Sequence, residues 1–306
     1  MGNKIINPKQ VYSYYQLCSD LNRLATRYAN QLSLSTIGYS AEGRRIFAVK
    51  VGKGHKKLLC HGAHHAREWL TSALIVDLIE TLFTDQDAPW KTLREKQLDQ
   101  LALTFVPMVN PDGVTLVQEG ASGFPHHKDL IAWNEGSTDF RSWKANSRGV
   151  DLNRQYPVGW EDIQQDPGEP KSSHYKGKKP LSEPEVQALY RLAEDELFDC
   201  AIAYHSSGEE IFWRYNLQGD IIEKYRPLAE GLAKLTGYRL IEPGPNPSGG
   251  GFTDWFLTSF QKPCFTIEIA PSVGPKPVPL DFYDQIYHEN KDVIPLLGKY
   301  LIDNKK

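Results

Sequence analysis

Imidazole and carboxylate groups crowd into residues 58–69, which read L-L-C-H-G-A-H-H-A-R-E-W. The stretch starts as an apolar strand and ends where a long apolar-periodic helix begins. Between the two lie His61, His64, His65, Arg67 and Glu68. A strand end that feeds a helix start is where open α/β sheets place their chemistry. His65 and Glu68 form an H-x-x-E pair, and residues three apart share one side of a helical turn. An imidazole nitrogen and a carboxylate oxygen together suit Zn²⁺, at roughly 2.0–2.2 Å from the ion. The same pair also fits a solvated helix start with an acid near its dipole, so further ligands have to come from elsewhere in the chain.

Two other residues answer that need. His205 closes the apolar run C-A-I-A-Y-H and is followed by S-S-G, so its imidazole leaves a buried strand end as that of His65 does. Glu268 sits inside F-T-I-E-I-A, where an unpaired carboxylate is costly. It needs either an arginine partner or a task, and the task that suits it is general base toward a metal-activated water. Three protein ligands plus an open position mark a catalytic zinc site, whereas a structural site is closed by four. His65, Glu68 and His205 supply the three, with Glu268 as base, and none is a cysteine.

Residues 143–157, W-K-A-N-S-R-G-V-D-L-N-R-Q-Y-P, gather Lys144, Arg148 and Arg154 around Asn146 and Asn153. An arginine fork beside an amide is suited to gripping a carboxylate by two hydrogen bonds. Asp151 is placed to orient a ligating imidazole from behind. A solvated basic loop has the same composition, so the reading depends on the fold bringing this loop to the histidines.

The elements that must do the positioning alternate along the chain. Apolar periodicity predicts helices over residues 8–31, 69–83, 182–197, 221–236, 252–260 and 282–302. A hairpin is expected over 33–52, turning at Ala41, Glu42 and Gly43. Further strands are expected at 57–60, 101–109, 198–205, 210–215, 239–242 and 264–269, with N-P-D-G after 109 read as a turn. Residues 120–179 show no period, and so long an irregular stretch inside a domain is usually there to build a site. The pattern implies a single α/β domain over 1–306, a mixed twisted sheet with helices on both faces.

The 306 residues carry a formal net charge of −3 and no basic run, which argues against a nucleic-acid partner. No apolar run reaches membrane-spanning length, so no membrane partner is expected. Cys18, Cys60, Cys200 and Cys264 are scattered, with no C-x-x-C pair, and read as free thiols. The start M-G-N-K-I-I-N-P-K-Q lacks a signal-peptide core, so a cytoplasmic protein is expected, with export by another route left open.

In this order H-x-x-E, D-L-N-R, a strand-terminal histidine and a final-strand glutamate resemble the zinc carboxypeptidases, the funnelins, over about residues 11–301. The resemblance implies an eight-stranded mixed sheet and one Zn²⁺ per chain, held by His65, Glu68 and His205. It implies Glu268 as general base and then proton donor. Asn153 and Arg154 would bind the carboxylate of the residue after the scissile bond, Arg67 would line the cleft, and Asp151 would hydrogen-bond His65. It also implies a catalytic domain starting without an activation peptide.

Three positions depart from the digestive members. Lys144 stands where an arginine usually polarises the scissile carbonyl, and it stabilises an oxyanion as a point charge rather than a fork; Arg148 is close enough in sequence to share the task. Asn246 falls near the slot of a mobile tyrosine. Thr253 falls where the specificity pocket is set. With W-K-A-N-S-R-G-V-D-L-N-R-Q-Y-P and G-G-G-F-T-D-W-F, these departures are similar to the bacterial branch that cuts γ-D-glutamyl-L-diamino acid bonds in peptidoglycan stem peptides. No cell-wall-binding repeat is found, which points to muropeptides or a sporulation role rather than the intact wall. The alternatives are a carboxypeptidase acting on ordinary α-peptides and a non-catalytic muropeptide-binding module.

Overall fold

The computed structural model of the chain describes residues 4–244 and 248–304. Among them, eight strands form one sheet: β1 (Leu32–Tyr39), β2 (Arg45–Val51), β3 (Lys56–Gly62), β4 (Leu101–Val106), β5 (Cys200–Ser206), β6 (Glu210–Phe212), β7 (Arg239–Ile241) and β8 (Cys264–Ile269). Their order is β1-β2-β4-β3-β5-β8-β6-β7. The four central strands, β4-β3-β5-β8, run parallel, while β1 and β2 on one side and β6 on the other join antiparallel. This is the mixed α/β sheet expected.

Parallel strands need cover on both faces and therefore read as continuous apolar runs, as β3 and β5 do. Side chains alternate across the pleat. Leu58 and Cys60 accordingly join one core with Leu74, Ile75 and Leu78 of the helix Leu70–Thr84. Leu59 and Ala201 join a second core with Leu189 of Pro184–Glu196 and Phe252 and Phe256 of Phe252–Phe260. The sheet is thus clamped between two cores, and its parallel strands all end on one rim. Among the described residues, no helix is long and apolar enough to cross a membrane.

Several elements differ from the expected ones for local reasons. The first helix is Tyr14–Arg27, shorter than 8–31, because the Ser13 hydroxyl caps it by accepting from Gln16 N at 3.1 Å. The strand expected over 101–109 stops at Val106, since Pro107 has no N–H for the ladder. The N-P-D-G read as a turn instead starts a helix, Pro111–Glu119: Asn110 accepts from Gly113 N at 2.9 Å, and Pro111 fills a first-turn position. Residues 120–179 are largely irregular but include the short helix His127–Trp133. The last helix divides into Tyr283–Asn290 and Val293–Asp303, with Pro295 in the first turn of the second piece, where an amide has no helical acceptor to lose.

Asn110 matters beyond its cap. Its amide nitrogen also donates to the carbonyls of His64 at 3.0 Å and Ala145 at 3.1 Å. One buried side chain therefore ties the β3 exit, the helix Pro111–Glu119 and the irregular segment together. Replacing it by alanine removes a cap and strands two buried carbonyls, so Asn110→Ala is expected to lower stability by about 2–4 kcal/mol. Urea unfolding measures this, and an unchanged midpoint would contradict the role given to Asn110.

Candidate metal centre and cleft

The rim at the carboxyl ends of β3, β5 and β8 gathers the chemistry. Beyond Gly62 the chain turns at Ala63, whose φ is +50°, is extended again at His65 (φ −96°, ψ 134°), and then makes the 3₁₀ turn Ala66–Glu68 before the long helix. Glu68 therefore projects from a tight turn and not from the regular helix expected. His205 is the penultimate residue of β5, and Glu268 lies beside it in register on β8.

His65, Glu68 and His205 converge, each offering one ligand atom, with these atoms all within 4.8 Å of one another. The Nδ1 atoms of His65 and His205 lie 3.1 Å apart, at 2.8 Å and 2.9 Å from Glu68 Oε1 and Oε2 respectively. Two imidazole nitrogens and a carboxylate turned inward onto one point, all buried, are the donor set of a zinc site. The group fits the residues present. Burial works to raise the Glu68 carboxyl, but the His65 and His205 imidazoles outweigh it and hold Glu68 below the usual carboxylate range. Burial lowers His205 despite the opposing pull of Glu68, and it leaves His61 and His64 well below the ordinary histidine range. Neutral imidazoles are the form that binds a metal.

Asp151 backs this cluster from the irregular segment. Its Oδ1 lies 3.4 Å from His65 Nε2, and its Oδ2 lies 3.2 Å from the Lys144 ammonium. Burial opposes the Asp151 charge, yet Lys144 and His65 overcome that and keep its pKa well below the usual range. Sequence reading had put Lys144 and Asp151 near the same site without linking them; the link fixes Lys144 at the edge of the cleft.

The cleft has a volume of about 270 Å³, and its lining includes Arg67, Lys144, Glu210 and Glu268 beside the cluster. The Glu268 carboxylate accepts no hydrogen bond and makes no ion pair among the described residues, although its backbone is paired in the sheet. The arginine partner considered for it is not there. Burial and the Glu68 charge push its carboxyl up to about 8. Arg67 donates to Ser142 O at 2.9 Å.

The remaining candidates are placed less uniformly. Asn153 Oδ1 accepts from Phe252 N at 3.0 Å, which joins the irregular segment to the helix Phe252–Phe260. Arg154 reaches back to Asn153 O at 2.8 Å, while its buried Nε has no protein partner. Arg148 does not share the cleft with Lys144. It is half exposed and turns to Glu183 Oε2 at 3.8 Å, which leaves Lys144 as the one of the two cations that lines the cleft. Thr253 is buried, its hydroxyl 2.7 Å from that of Thr266, two residues before Glu268 on β8. Asn246 lies outside the described residues. The sequence reading missed Glu210 and the bond between His64 Nε2 and the Tyr156 hydroxyl at 3.0 Å. It also missed Asp254, whose carboxyl burial pushes up to about 7 against the Arg154 charge.

Residues 17–272 match the zinc carboxypeptidase family model. The chain is 33% identical to gamma-D-glutamyl-L-diamino acid endopeptidase 1 of Lysinibacillus sphaericus over 304 residues, covering 97% of this chain and 74% of that one. It is 28% identical to carboxypeptidase B of Rattus norvegicus over 81% of this chain and 60% of that one. Its fold is similar to that of the solved thrombin-activatable fibrinolysis inhibitor, with a TM-score of 0.80 and 18% identity over 97% of this chain and 76% of that one.

Two outcomes follow from the geometry. Asp151→Asn is expected to weaken zinc binding about 10–100-fold, read by competition with a chromophoric chelator; equal affinity would detach Asp151 from the cluster. At pH 7 a carboxyl with a pKa of about 8 is mostly protonated, and a nearby dication favours its ionised form. Zinc loading of the wild type at pH 7 is therefore expected to release up to about one proton more than loading of Glu268→Gln. Equal release in a pH-stat would show that Glu268 does not sense the ion.

Proposed function

The chain belongs to the zinc carboxypeptidase family and is a zinc metallopeptidase, and on that premise we propose that it hydrolyses γ-D-glutamyl–diaminopimelate bonds in peptidoglycan stem peptides or muropeptides. The observation that carries this reading is the 33% identity to a γ-D-glutamyl-L-diamino acid endopeptidase along 97% of this chain. The local chemistry agrees with it. Thr253 and Thr266 form a neutral polar pair on the β8 side of the site, which suits a diamino acid ending in both an amine and a carboxylate better than an apolar or acidic floor would.

In this reading His65, Glu68 and His205 hold the metal. A zinc ion bound there supplies the Lewis acidity by which such sites polarise a carbonyl and ionise water near neutral pH. Glu268, ionised beside the metal, takes the proton from the attacking water and returns it to the leaving amine. Lys144, held by Asp151 at 3.2 Å, presents its ammonium to the oxyanion. Asn153 and Arg154 take the carboxylate of the residue after the scissile bond, and Asp151 fixes the tautomer and angle of His65. Arg67 lines the acyl side of the cleft.

Zinc-loaded protein is expected to split L-Ala-γ-D-Glu-diaminopimelate at the γ-amide, read by mass spectrometry, well ahead of blocked α-dipeptides. Preference for the α-dipeptides would make it an ordinary carboxypeptidase, and retention of the tripeptide uncut would make it a binding module. Glu268→Gln is expected to keep its zinc while kcat falls by about 10²–10⁴-fold; near-normal turnover would overturn the assignment of the base.

A further inference from the structure

The cleft holds one charged group that the hydrolysis itself does not use. Glu210 on β6 stands directly opposite Glu268 on β8 in the antiparallel register, and His205 on β5 stands beside Glu268 in the parallel one. Opposed residues share a sheet face, so His205, Glu268 and Glu210 form a row across three strands on the cleft side. Ile211 and Ile267, one residue along, are buried in the core. Two carboxylates placed directly opposite one another destabilise a sheet, and nothing in the fold requires the second. Arg239 pairs with Glu210 Oε1, but the arginine side chain is 73% exposed, and such surface pairs contribute little. Glu210 Oε2 has no hydrogen bond among the described residues, and the side chain lines the cleft together with Arg67 and Lys144.

We infer that Glu210 is a specificity-determining residue that receives the free ammonium group at the N-terminus of the substrate's acyl half. The inference rests on the reaction proposed above. Two strand spacings put Glu210 on the order of 10 Å from His205, and an extended Ala-γ-Glu unit spans on the order of 8 Å from its scissile carbonyl to its ammonium. That unit carries one ammonium and one free α-carboxylate, and the same cleft offers Glu210 to the first and Arg67 to the second. A peptide whose N-terminus is still acylated sets a neutral amide against Glu210 and denies the Glu210 carboxylate its cation, while the α-carboxylate keeps Arg67. The reaction that supplies this substrate is therefore an amide hydrolysis that frees the peptide's amine, and the product leaving the acyl side is a dipeptide.

The test compares kcat/KM for L-Ala-γ-D-Glu-diaminopimelate with and without N-acetylation, using zinc-loaded wild type, Glu210→Gln and Glu210→Asp. The free peptide is expected to be preferred by about tenfold or more in the wild type, chiefly through KM, as for a charge-assisted hydrogen bond. The ratio should fall toward one in Glu210→Gln and recover in part in Glu210→Asp. Arg239→Gln, which removes the ion pair alone, should keep the preference. A wild-type ratio near one, or the same ratio in wild type and Glu210→Gln, overturns the inference. An α-linked tripeptide tested in both forms separates the two readings: a Glu210-dependent preference there, with the γ-linked peptide uncut, supports the ammonium site and removes the γ-glutamyl assignment.

Discussion

Much of this structure follows from keeping the Glu68 carboxylate ionised while it is buried. A lone buried carboxylate would take up a proton, and burial does push Glu68 that way. The neighbouring imidazoles reverse the balance, His65 from the same β3 exit and His205 from the end of β5. That demand fixes the 3₁₀ turn after β3, the register that sets His205 next to Glu268, and the backing of His65 by Asp151. Once these are in place, three inward-facing donors remain that only a cation satisfies together.

The same rim explains why the cleft is electrostatically mixed. Lys144 and Arg67 bring positive charge from the irregular segment and the β3 exit, while Glu210 and, once a metal favours its ionised form, Glu268 bring negative charge from two neighbouring strands. A ligand that is itself zwitterionic suits such a surface, since each of its charges finds a partner and neither is desolvated alone. The sheet tolerates the opposed carboxylates because the strand face that holds them opens to the cleft instead of to a core.

The sequence disclosed the parts of this arrangement whose cost is visible locally. Glu268 within F-T-I-E-I-A and His205 at the end of C-A-I-A-Y-H are polar groups where the pattern demands apolar ones, and both lie in the site. The existence of the buried strands was equally legible from their apolar runs, but their ends were not: β8 matches 264–269 as expected, while β3 runs longer than 57–60 and β5 is shifted from 198–205. What could not be read was set by contacts between distant segments. N-P-D-G is both a turn and a helix start, and the choice depends on Asn110 bonding His64 and Ala145. Arg148 and Lys144 are four residues apart and chemically alike, yet Glu183 takes the first and Asp151 the second. Glu210 was passed over because its meaning lies in cross-strand register, which no single stretch of sequence displays.

The central claim is that His65, Glu68 and His205 together ligate one zinc ion, and X-ray absorption of the zinc-loaded protein tests it most directly. The account predicts a low-coordinate shell of nitrogen and oxygen at about 2.0–2.2 Å, with imidazole outer-shell scattering and no sulfur. A sulfur shell at about 2.3 Å, or a spectrum unchanged when His205 is replaced by alanine, would contradict it.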